Sequence, residues 1–163
     1  MKRYVLICCQ KWDHTNDVLL VRKDKPEWQK GLLNLPGGKI EEGETDIEAA
    51  ERELKEETGY VSAVPVRMMG AINDGSNEIL CYKAIVPPWL DPKPCEKETQ
   101  EVFWESWDKA RAEPSLIPNL KIIIPLIRCG VQGWIIRDQF RSANSKTMHG
   151  LYMEVPCEDR KSD

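Results

Sequence analysis

Two short runs of β-branched and apolar residues, Tyr4 to Cys9 and Val18 to Arg22, flank the polar segment WDHTND, the pattern of two strands joined as a hairpin. A polar stretch from Asp24 to Lys30 leads through Gly31 into LLNLPGGK, where Pro36, Gly37 and Gly38 force a sharp loop. From Thr45 the period changes from two to that of a helix. Thr45 and Glu48 have the spacing of a capping box, and Gly59 supplies the stop. Ile47, Ala50 and Leu54 then share one face, expected against the core. Ala63 to Ile72 and Glu78 to Val86 read as strands around the turn NDGSN, again a hairpin. PPWLDPKPCEK reads as a surface loop, Gln100 to Glu105 as a strand, and Trp107 to Ala112 as a short helix. A second helix is predicted over Pro118 to Cys129, frayed or kinked at Pro125 and closed by Gly130. The tail offers two more strand-like pieces, GWIIRDQF and LYMEV, around RSANSKTMH, which reads as a long mobile loop.

A chain of 163 residues suits one domain over 1–163, with 131–163 as a C-terminal extension carrying a strand pair. The net charge of -4 provides no positive field for a polyanion, so nucleic acid is not an expected partner. The longest apolar candidate, Ile122 to Ile127, contains Pro125 and falls far short of the ~20 residues of a membrane span. The run after MKRY is likewise too short for a secretory core of roughly 7–15 residues, so it reads as a first strand. Six scattered cysteines without a CxxC pair read as reduced thiols in a cytoplasmic protein. Cys8 and Cys9 read as small buried hydrophobes, and His14 and His149 as turn and loop residues without a chemical task.

Chemistry concentrates in Gly38 to Tyr60, GKIEEGETDIEAAERELKEETGY. On a helix Glu53, Glu56 and Glu57 fall within an arc of about 100°, and crowded carboxylates repel unless a cation sits among them. Oxygen ligands of this kind suit magnesium, which keeps waters and binds substrate phosphates. The Gly37-Gly38 turn lets a backbone carbonyl approach the same place. A bare acidic face is usually solvated surface, and here the glycines and Arg52 argue for the cation.

The stretch resembles the Nudix box: Gly38, five residues, Glu44, seven residues, then Arg52-Glu53-Leu54-Lys55-Glu56-Glu57-Thr58-Gly59. The one departure is Tyr60 at a usually aliphatic position, where the hydroxyl needs a partner once buried. Flanking segments WQKGLLNLPGGKIEEGE and PNLKIIIPLI resemble those of MutT-type pyrophosphohydrolases, a weaker similarity over about residues 3 to 129. The resemblance implies an α/β/α sandwich around a mixed β-sheet, in the α/β class. It implies metal ligation by Glu53, Glu56 and Glu57 with the Gly37 or Gly38 carbonyl, for magnesium or manganese in its place. Arg52 would orient Glu53, Glu44 would support the joint of loop and helix, and Lys39 could touch a phosphate. Water would attack one phosphorus of a diphosphate, its pKa lowered by the cations. Glu57, Glu98 and Glu101 stand as equal candidates for the general base.

Trp28 is the preferred tryptophan for stacking on a base, while Trp104 and Trp107 read as core or rim. Asn119 sits where MutT-type relatives place a base-reading side chain, and also where a helix starts, so reading and capping stand level. The implied substrate is a small-molecule nucleotide, a nucleoside diphosphate linked to another group, with nucleoside triphosphates the first class to test. The rival substrate is ADP-ribose or another nucleotide sugar; that subfamily often carries a proline about sixteen residues beyond the box, where this chain has Gly75-Ser76-Asn77. A non-catalytic nucleotide sensor is the alternative of a different class, one that usually loses the carboxylates retained here. The tail would serve as a homodimer interface or a lid.

Overall fold

The computed structural model describes residues 1–95, 100–138 and 151–154, the last five of these as backbone alone. Strand β1 (Lys2–Lys11) has apolar side chains on both faces. Val5, Ile7 and Cys9 enter one hydrophobic cluster and Leu6 and Cys8 the other. A strand buried on both faces must belong to a sheet covered by further elements on either side. One cover is helix α1 (Asp46–Thr58), whose Ala49, Ala50 and Leu54 pack with Val5, Ile7 and Cys9. The other is helix α3 (Leu120–Arg128), whose Leu120, Ile123, Ile124 and Ile127 pack with Leu6 and Cys8.

The main sheet is mixed. β1 runs parallel to β5 (Asn77–Val86), β5 antiparallel to β4 (Arg67–Asn73), β4 parallel to β7 (Trp134–Asp138), and β7 antiparallel to β8 (Leu151–Glu154). The β4–β5 hairpin closes over the Asp74–Asn77 turn as the sequence predicts, and a bulge interrupts it between Met68 and Gly70. A second, antiparallel sheet has β2 (Asp17–Arg22) between β3 (Leu33–Asn34) and β6 (Glu101–Ser106). Short helix α2 (Trp107–Ala110) follows β6 directly.

The predicted hairpin between the first two strands does not form, because they belong to different sheets. The edge of β1 not taken by β5 is taken by the turn before the box. Val5 donates to the Gly38 carbonyl, Ile7 to that of Pro36, and Ile40 donates back to Arg3. β1 is thereby the spine on which the Pro36–Ile40 segment is laid.

Helix α1 begins and ends where predicted. The Thr45 side chain accepts from the Glu48 amide, Glu48 reaches back to the Thr45 amide, and Gly59 closes the helix in the left-handed conformation. Ile47 is a correction. It is half exposed rather than packed, and the buried positions of the helix begin at Ala49 and Ala50. Helix α3 runs through Pro125 from Leu120 to Arg128. The two tail strands extend the main sheet. The intervening RSANSKTMH stretch, with His149, and also Glu98 and Cys157, lie outside the described residues. No helix among the described residues is long and apolar enough to cross a membrane.

Candidate active site

Three segments meet at the C-terminal half of α1. The first is the Pro36–Gly38 turn held on β1. At Gly37, with φ of 150°, a side chain would run into the Val5 carbonyl, and at Gly38 it would run into the Glu53 carboxylate. Both glycines are therefore required by close approach, one to a strand and one to a carboxylate. The second is the helix itself. The third is the loop after β5, which reads in the sequence as plain surface. Its Lys93 and Cys95 amides donate to the Thr58 and Glu56 carbonyls, supplying partners for the last turn of α1, which has none inside the helix.

Glu57 is the most enclosed carboxylate, with a side chain only 5% exposed. One oxygen accepts from the Gly37 amide at 2.8 Å. The other accepts from Lys23 Nζ at 2.9 Å and from Gln100 Nε2 at 2.9 Å. Lys23 Nζ also reaches the Gly37 carbonyl at 3.4 Å. Sequence reasoning passes over both Lys23 and Gln100. No local signal marks either: Lys23 stands in the charged run Arg22-Lys23-Asp24-Lys25 just past β2, and Gln100 just before β6.

Arg52 organises the other carboxylates. Its guanidinium donates twice to Glu44, at 2.6 and 3.1 Å, once to Glu53 at 2.7 Å, and more loosely to Glu56 at 3.4 Å. It also donates to the Lys39 carbonyl at 3.1 Å, tying helix to turn. The hydrogen bonds from Arg52 and from the Glu41 amide hold the Glu44 carboxyl below its ordinary range. Burial pushes the Glu53 carboxyl up, against the pull of Arg52, with Glu57 and Glu56 adding repulsion. A buried carboxylate next to others is one that a cation would stabilise.

No group of three or more acidic, histidine or cysteine ligands is gathered at metal-binding distance among the described residues. In the structure Lys23 pairs with Glu57, and Arg52 with Glu53 and Glu56. The donor set nonetheless fits a hard cation. It consists of carboxylate and carbonyl oxygens alone, and the Glu57 oxygen and Gly37 carbonyl already converge on one positive charge, the Lys23 ammonium.

The remaining candidates divide. Glu101 is 63% exposed and paired with Arg22 at 3.0 Å on the outer sheet, so its neighbour Gln100, not Glu101, meets Glu57. Lys39 is exposed beside the turn. Trp28 is 65% exposed on a 3-10 turn (Glu27–Gln29), at the tip of a loop that starts at Lys23. Asn119 precedes α3 but caps nothing, and its Oδ1 is buried without a hydrogen-bond partner. Cys8, Cys9 and Cys81 are buried free thiols, and burial pushes Cys8 up to about 11, which disfavours the nucleophilic thiolate.

An α/β/α sandwich with a capped, glutamate-bearing helix docked against a glycine turn defines a class before any comparison is made. A family model for the NUDIX domain matches residues 1–127, and the chain belongs to that family. It is 44% identical over 57 residues to a putative 8-oxo-dGTP diphosphatase of Bacillus subtilis, covering 34% of this chain and 35% of that protein. It is 52% identical over 50 residues to an ADP-ribose pyrophosphatase of Methanocaldococcus jannaschii, covering 30% and 28%. The aligned segments thus span about a third or less of these curated relatives. Among solved structures, a MutT protein from Bacillus halodurans superposes with a TM-score of 0.73 at 19% identity, over 94% of this chain and 98% of that one, a likeness of fold.

Proposed function

We propose that the chain is a magnesium-dependent pyrophosphohydrolase that splits a diphosphate linkage in a nucleoside diphosphate bearing another group, with nucleoside triphosphates the preferred class. The observation that carries this reading is the oxygen-only character of the donor set: the Glu57 carboxylate and the Gly37 carbonyl already meet on one cation, Lys23, and Arg52 holds Glu53 and Glu56 of the same helix. When bound there, a divalent ion would polarise the diphosphate and lower the pKa of the attacking water.

The chain's own groups account for the rest. The Gly37 amide and Gln100 fix the Glu57 carboxylate in one orientation. Arg52, forked onto Glu44, holds Glu53 against the turn. Lys39 and Trp28 are both exposed, which supports reading Lys39 as a contact for a phosphate oxygen and Trp28 as a stacking surface for a base. Asn119, with an unpartnered amide oxygen and no capping role, supports base reading. Glu57 is the reading for the general base favoured by enclosure, since Glu101 is committed to Arg22. Manganese would replace magnesium in the same oxygen set.

The test is turnover of a panel of nucleoside triphosphates, oxidised nucleotides, ADP-ribose and dinucleoside polyphosphates, with magnesium and with chelator. Cleavage of triphosphates in magnesium alone is expected. Preference for ADP-ribose would move the chain to the nucleotide-sugar class, and tight binding without cleavage would make it a sensor. In the same assay Glu57→Gln should lower kcat by roughly two orders of magnitude or more, the scale of losing a charge-stabilising group. Full activity of that variant with unchanged metal dependence would sink the assignment.

A further inference from the structure

The oxygens assigned to the divalent ion already share a cation, Lys23, and the role of that side chain rests on the metal assignment above. Lys23 Nζ lies 2.9 Å from Glu57 Oε1 and 3.4 Å from the Gly37 carbonyl. Its residue is 8% exposed, so the ammonium has exchanged water for these two oxygens. A buried ammonium is held only where its partners replace its hydration, and here both partners belong to the donor set of the site.

We propose that Lys23 is the resident counter-ion of the metal-free site, and that a divalent ion binds by exchanging the Lys23 ammonium out of its position. Two cations cannot occupy the same pair of oxygens, because at such separations like charges repel strongly in a partly buried setting. The geometry confines the exchange to one side chain. The Lys23 backbone is pinned on both sides, its amide donating to the Leu32 carbonyl at 2.9 Å and its carbonyl accepting from Gly31 at 2.8 Å. The Glu57 carboxylate is held by the Gly37 amide and Gln100 whether or not Lys23 is present. Only the four-carbon stem has to turn. A compact ammonium on a flexible stem suits this role, whereas Arg52, forked onto Glu44, is fixed by geometry.

Charge gives the exchange its direction. Among the described residues, Glu44, Glu53, Glu56 and Glu57 face only Arg52 and Lys23 across these ion pairs. With Lys23 turned out, the four carboxylates face Arg52 alone, and a divalent ion offsets more of their charge than the single ammonium it replaces. A monovalent placeholder thus keeps the carboxylates from repelling one another without satisfying them.

The experiment is a titration of the full chain with Mn2+ after chelator treatment, free Mn2+ being read by electron paramagnetic resonance, for wild type and Lys23→Met. Methionine keeps the apolar stem and removes the charge. Lys23→Met is expected to bind Mn2+ about tenfold tighter, within the usual range of coupling between two competing ligands. Equal or weaker binding by folded Lys23→Met, checked by circular dichroism, would overturn the exchange. Wild type provides a second measurement that needs no variant: acylation of the Lys23 amine, followed by peptide mass spectrometry. Labelling should be slow in chelator and several-fold faster in saturating Mg2+. A rate unchanged or lowered by Mg2+ would overturn the proposal. Absence of Mn2+ binding in the wild-type titration would remove the metal site itself, a failure distinct from tight but equal binding by both proteins.

Discussion

Asn119 carries a buried amide oxygen with no partner at the entrance to α3, and such an atom costs free energy in the ligand-free protein. A ligand donor that satisfies it would recover that cost and be selected over one that does not. Asn119→Ala is therefore expected to change the ranking of nucleobases about tenfold or more, the scale of a lost specificity contact, while changing kcat for the preferred substrate less. Specificity ratios across the nucleotide panel measure this, and an unchanged ranking would remove Asn119 from base reading. The residues of the box are legible because one helix repeats its geometry: spacing alone places Glu53, Glu56 and Glu57 on one edge. Lys23 and Gln100 are not, because they reach Glu57 across sequence separations of 34 and 43 residues. Nothing local in RKD or TQE distinguishes them from solvated surface. Tyr60 is legible halfway. Its need for a partner is plain, but that the hydroxyl donates to Leu90 and accepts from Trp104 depends on the loop and β6 arriving there.

Among the elements, α1 is the one whose limits the chain dictates locally, and its cap makes a pH prediction. Hydrogen bonds from the Thr45 amide and then the Thr45 hydroxyl hold the Glu48 carboxyl below its ordinary range. A carboxyl lowered in the folded state adds stability that is present above its unfolded pKa of about 4.3 and is lost as the pH falls through the folded value. Glu48→Gln should then be less stable than wild type near neutral pH, with the two curves converging in acid below that range. Urea midpoints measured across pH decide it, and a constant gap down to the most acidic point would show that ionisation of Glu48 is not what the cap uses. The false hairpin between β1 and β2 has an equally local origin. Two apolar runs with a polar turn between them are the pattern of a hairpin, and only the long-range claims of β5 and the Pro36–Ile40 segment on β1 exclude it. The PPWLDPKPCEK loop is read from its prolines, which say nothing of the amides of Lys93 and Cys95 that close the last turn of α1.

At the scale of the molecule the question is whether the strands beyond the family match share one cooperative unit with the site. We propose that they do, as a single domain. Trp134 opens β7 fully buried, its ring laid on Gly70 of β4 where any side chain would collide, and its indole donates to the Val131 carbonyl at 3.2 Å. It packs in the same cluster as Ile123, Ile124 and Ile127 of α3 and Leu6 and Cys8 of β1. That cluster backs the strand on which the Gly37–Gly38 turn is laid, so loss of the indole is felt at the scaffold of the site. Trp134→Ala should cost about 3–5 kcal/mol, a large share of the roughly 5–15 kcal/mol that holds a domain folded. Urea unfolding should show one transition with a lower midpoint and an unchanged slope, since the slope follows the surface exposed by the whole cooperative unit. Two transitions, or an unchanged midpoint, would mean that the tail docks on a core that folds without it. Mn2+ affinity measured alongside separates the two cases again: in a single unit it falls with stability only near the unfolding transition, because the box, its turn and Lys23 keep their own contacts until β1 itself gives way.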